Sequence, residues 1–96
     1  MSLQIWKFPL EAQRENKIEM PKGATVLSVK YLGSQGAVVY ARCDTNAVKT
    51  EQIFQTFATG EDLPDLSGYV FLGTFVTGSK LVFHVFQKMV LDDPSF

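Results

Sequence analysis

Two runs near the C-terminal end, YVFLGTFV (69–76) and KLVFHVFQ (80–87), limit the possible folds more than anything else in the chain. Both are short, rich in β-branched and aromatic residues, and apolar at odd and even positions alike. That is the pattern of strands covered on both faces rather than of a helix with one apolar stripe. Between them, Gly78-Ser79 reads as a two-residue hairpin loop of the Gly-first, type II′ kind. A fixed loop fixes the register. Thr77 is then expected opposite Lys80, Phe75 opposite Val82, Gly73 opposite His84, and Phe71 opposite Phe86.

The rest of the chain repeats the signal of short strands between turn residues. LQIWKF (3–8) stops at Pro9, and KIEM (17–20) alternates, so the two can form a hairpin with a long polar loop. MPKG (20–23) suits a type I turn with Pro21 second and Gly23 fourth. TVLSVKYL (25–32) places Leu27, Val29 and Tyr31 inward and Ser28 and Lys30 outward. After GSQG (33–36), AVVYARC (37–43) puts Val39, Ala41 and Cys43 on one face and Val38, Tyr40 and Arg42 on the other, completing a hairpin. TEQIFQTFAT (50–59) is open to two readings: Ile53, Phe54, Phe57 and Ala58 would share one face of a short helix, whereas the Ile, Phe and Thr content favours a strand. The expected fold is all-β, a single antiparallel β-sandwich or partly open barrel of about seven strands. One domain spans 1–96, with an ordered core over about 3–88 and a flexible tail over 89–96.

Composition bounds the function. A formal net charge of −1 and the lack of any Lys/Arg cluster argue against nucleic acid and anionic membrane as partners. No apolar run approaches the roughly 18 residues of a membrane span, and the N-terminus lacks signal-peptide character. Cys43 is the only cysteine, which fits a reducing compartment and hence the cytoplasm.

Few side chains could do chemistry. His84 is the only histidine, and catalysis or metal binding would need converging partners that the sequence does not offer. The expectation is a packed structural imidazole with one ring nitrogen hydrogen-bonded, or else a residue lining a small-molecule pocket. Opposite it, Gly73 would leave room for the ring. Cys43 reads as a small buried hydrophobe. Glu61, Asp62 and Asp65 form an acidic loop that is solvated or meets a basic partner; Trp6, with Phe8 on the same strand face, reads either as core or as an oligomer contact, and Tyr40 is a candidate contact residue. The chain is expected to have no catalytic residue, no metal and no cofactor.

Several stretches together resemble a family of small proteins encoded in bacteriophage and prophage genomes that carry a domain of unknown function. They are IWKFPL (5–10), IEMPKGATVLSV (18–29), VYARCD (39–44), TFATG (56–60) and YVFLGTFVTGSKLVFHVFQ (69–87). The resemblance implies a strand over 50–59 and a phage or prophage setting in a bacterial host, and it brings no catalytic residue. A longer acidic insert between Gly60 and Tyr69 departs from the family pattern. The expected function is a non-enzymatic accessory protein that binds a bacterial or phage protein partner in the cytoplasm. A small-molecule-sequestering protein is the alternative, and a virion accessory component a weaker one. A homodimer is also expected, because a short chain with apolar residues on both strand faces has surface left to cover.

Overall fold

The computed structural model describes residues 1–89. It is all-β, with two antiparallel sheets packed together and not closed into a barrel. The seven strands are β1 (Leu3–Pro9), β2 (Glu15–Pro21), β3 (Thr25–Tyr31), β4 (Ala37–Asp44), β5 (Lys49–Ala58), β6 (Tyr69–Val76) and β7 (Val82–Lys88). One sheet has the order β1-β4-β3, and the other β2-β5-β7-β6. The flexible tail expected over 89–96 lies, from residue 90 on, outside the described residues. No helix among the described residues is long and apolar enough to cross a membrane.

The β3–β4 hairpin forms as expected, with a 3-10 turn at Gly33–Gln35 between the strands. The β1–β2 hairpin does not. β1 pairs with β4, and β2 pairs with β5 in the other sheet. Leu10 lies in the connection between them and is buried, with its N–H bonded to the Ala37 carbonyl, so the chain crosses from sheet to sheet there. The turn after β2 also falls one residue later than expected. The Ala24 N–H bonds the Pro21 carbonyl, which places Gly23 third in the turn with φ at +83°, the left-handed geometry that a type II turn requires.

β5 is a ten-residue strand, and its central position explains the ambiguous sequence. Phe54 and Phe57 are both buried, but on opposite faces. A helix would have put them on the same side. Phe54 joins Met20, Val29, Val39 and Val85 in the core between the sheets. Phe57 lies on the outer face of its sheet.

Leu27 corrects the expected inward set. A bulge between Val26 and Ser28 breaks the alternation of β3. Leu27 is consequently 52% exposed, while Val26 packs against the core and Val29 lies within it. Bulges re-aim side chains in this way because one strand carries an extra residue against its partner.

Candidate functional site

The β6–β7 hairpin carries the residues of greatest interest, and its register departs from the two-residue loop in an instructive way. Lys80 has φ at +68°. The Lys80 N–H bonds the Thr77 carbonyl, and the Thr77 N–H bonds the Leu81 carbonyl. The loop is therefore three residues long, a β-turn closed by a left-handed residue. The pairs next to it become Val76 with Val82, Phe75 with Phe83, and Thr74 with His84. His84 faces Thr74, not Gly73, which pairs with Val85. A bulge between Phe71 and Gly73 then takes up the extra residue, so Phe71 opposes Phe86 as the shorter loop had required.

His84 lies on the outer face of the four-stranded sheet and is half-buried. Both ring nitrogens are engaged: Nε2 is 2.7 Å from Thr59 Oγ1 and Nδ1 is 2.8 Å from Thr74 Oγ1. A neutral imidazole donates from one nitrogen and accepts at the other, and a threonine hydroxyl can take either role. The ring is thus held by two bonds where one was expected, between neighbouring strands and at the surface. Among the described residues no group of three or more His, Cys, Asp or Glu side chains converges to hold a metal ion.

Around His84 the outer face is aromatic. Phe71 and Phe86 have ring centroids 5.4 Å apart, and Phe86 meets Phe57 edge-on at 6.0 Å. Phe71 is 54% exposed and Val76 52% exposed, whereas Phe57 is 1% exposed. Phe57 is covered by Arg14, whose guanidinium carbon lies 4.6 Å from the ring centroid. Arg14 is in turn ion-paired with Glu61, which also accepts the Ala58 N–H. Cation–π contact and ion pair together fold the β1–β2 connection over this end of the sheet.

The acidic loop is therefore not a free cluster of carboxylates. Glu61 is committed to Arg14. Asp65 accepts from the Ser67 hydroxyl at 2.6 Å and the Ser67 N–H at 2.9 Å, and these bonds hold its carboxyl below the usual range. Asp62 is exposed. Trp6 and Tyr40 belong to the three-stranded sheet but lie on opposite faces of it. Trp6 is opposite Ala41 on the core side, half-buried, with its Nε1–H donating to Gln4 Oε1. Tyr40 is on the outer side between Lys7 and Ser28. The five candidate contact residues thus belong to three separate surfaces. Cys43 is fully buried on the core-facing side, where burial pushes its thiol up.

Sequence reasoning missed Asn16 and Arg14. Asn16 is 3% exposed and bonds both backbone groups of Glu11, accepting from its N–H at 2.8 Å and donating to its carbonyl at 3.2 Å. Both residues stand in a polar stretch, EAQREN, whose composition says only loop. Nothing in its spacing shows that one amide turns inward.

At the same end, the connection over residues 10–14, the β6–β7 loop and the ends of β3 and β5 enclose a cleft of about 620 Å³. Its wall includes Tyr31, Phe75 and Phe83. Tyr31 stacks on Phe75 at 6.1 Å with planes 5° apart, and Phe75 on Phe83 at 5.5 Å and 27°.

The profile of one protein family, described as Domain of unknown function (DUF7352), matches residues 1–93. No curated protein and no solved structure matches the chain. The chain belongs to the DUF7352 family.

Proposed function

We propose that this member of the family is a non-enzymatic binding protein that takes a protein partner on the outer face of its four-stranded sheet. The observation that carries this reading is the contact of Phe71 with Phe86 on that outer face, beside the Arg14-covered Phe57, with Phe71 54% exposed. Solvent-facing sheets normally alternate apolar-in and polar-out. A contiguous exposed apolar patch on a small domain marks a contact surface, and aromatic residues are the usual anchors of such surfaces. Polar groups flank it: the hydroxyls of Thr59 and Thr74, the His84 ring, and, on β2, Glu15, Lys17 and Glu19. The resemblance to phage- and prophage-encoded proteins supports an accessory role in a bacterial cytoplasm, with a host or phage protein as partner. Participation in the virion is the weaker form of the same reading.

The test is affinity capture from a bacterial extract with the native chain and with Phe71→Lys, followed by mass spectrometry and light scattering. The proposal expects a protein retained by the native chain and lost by Phe71→Lys at unchanged circular dichroism. If the native chain is dimeric and Phe71→Lys monomeric, the partner on this face is a second copy. Identical capture and identical mass for the two would overturn the proposal.

A further inference from the structure

We propose that the cleft at the end of the sandwich is a second, independent site that binds an uncharged planar aromatic or heteroaromatic small molecule. Its volume of about 620 Å³ lies within the range of about 300–1,000 Å³ typical of small-molecule sites. The chemistry of its lining narrows the class. Tyr31, Phe75 and Phe83 stand in a row with planes tilted by only 5° and 27°. Such a row offers a planar ring the offset-stacked contact that aromatic quadrupoles favour. Leu81 and Ala37 extend the apolar surface, and Thr56 places a hydroxyl among the lining groups for a ring nitrogen or carbonyl.

Charge excludes the commonest competitors. The charged lining residues are Glu11, Arg14 and Glu61, two carboxylates against one guanidinium. Arg14 is already paired with Glu61 and laid over Phe57. Lys80, between Ser79 and Leu81 in the chain, is not among the lining residues. A phosphate or carboxylate entering the cleft would meet surplus negative charge with no uncommitted cation in the lining. A neutral ring meets no such cost.

The walls are also pre-organised, which limits the entropy lost on binding. Asn16 pins Glu11 through both backbone groups. The Leu10 N–H is bonded to the Ala37 carbonyl, and the Thr56 N–H to the Arg14 carbonyl. Across the cleft, the Thr77 hydroxyl accepts the Leu81 N–H at 3.1 Å and fixes the loop.

The experiment is saturation-transfer NMR on the full chain with indole, adenine and adenosine monophosphate as probes at about millimolar concentration. Indole or adenine is expected to bind and to shift the Phe75 and Phe83 ring signals, with the monophosphate at least about tenfold weaker. Ala12→Trp and Leu81→Trp, both at exposed lining positions on different connections of the chain, add bulk to the cleft, and each is expected to abolish the transfer. Phe71→Lys, on the sheet face, is expected to leave it intact, which separates this site from the protein-contact surface. Absence of transfer from both neutral rings, transfer that survives both tryptophan variants, or a monophosphate bound as well as adenine would each overturn the proposal.

Discussion

A Cβ placed on Gly73 would stand 3.5 Å from the Cβ of Val29, on the facing sheet. The glycine in β6 is therefore a point of close approach between the two sheets, and not the space beside an imidazole that the sequence suggests. That distance is ordinary van der Waals contact, so there is room for one methyl group and little more. Gly73→Ala is expected to change the unfolding free energy by less than about 1 kcal/mol, because the added contact and the lost chain flexibility offset any strain. Gly73→Leu is expected to cost about 1–3 kcal/mol through overpacking. Urea denaturation of the two variants checks the contrast, and equal losses would disprove the packing account.

His84 bridges Thr59 and Thr74 at the surface, so its removal strands no deeply buried group. His84→Leu is expected to cost less than about 1 kcal/mol, since water can reach both hydroxyls. His84→Gln is expected to fold equally well. A loss of several kcal/mol in thermal or urea unfolding would show that the two bonds hold β5, β7 and β6 together far more strongly than exposed hydrogen bonds do.

Asn16 is the opposite case, a buried side chain whose two bonds both go to one backbone unit. Asn16→Ala is expected to cost about 1–3 kcal/mol, because the Glu11 N–H and carbonyl lose their partner in a part-buried setting. Hydrogen exchange at the Glu11 amide should rise in the variant while exchange in β4 and β7 stays near the native rate. Unchanged protection at Glu11 would refute the pinning role. Ring binding in the cleft should weaken in the same variant.

Cys43 links stability to alkaline pH. Burial raises its thiol, so the folded chain holds the proton more tightly than the unfolded chain. The resulting stabilisation is fully present below the unfolded thiol value of about 8.5 and is lost as pH rises through the folded value. The stability difference between the native chain and Cys43→Ala should therefore narrow above about pH 8.5. Thiol-specific reagents should react with the native chain only as it opens. Rapid labelling of folded protein at neutral pH would contradict the burial.

The family resemblance and the all-β architecture rest on sequence features that act locally. Alternation in 37–43 placed Val39, Ala41 and Cys43 inward, and strand composition in 69–76 and 80–87 produced a hairpin, because side-chain period and β propensity are properties of a few consecutive residues. Apolar residues on both faces of those strands predict cover on both sides, yet β6 lies at the edge of its sheet and leaves Phe71 and Val76 exposed. Tertiary structure decided the rest. Which strand lies beside β1 depends on Leu10 being buried at the crossing between sheets, and nothing within LQIWKF or KIEM encodes that. Whether Phe57 is exposed depends on Arg14, about forty residues away in the chain, lying over the ring and pairing with Glu61. The partner of His84 turned on one residue, Lys80, taking a left-handed conformation that lengthened the loop and shifted the register by one, until the bulge before Gly73 shifted it back. Strand identity follows from local side-chain pattern. Register, burial on the outer face and the cleft between the sheets follow from contacts between distant residues, which a linear pattern does not contain.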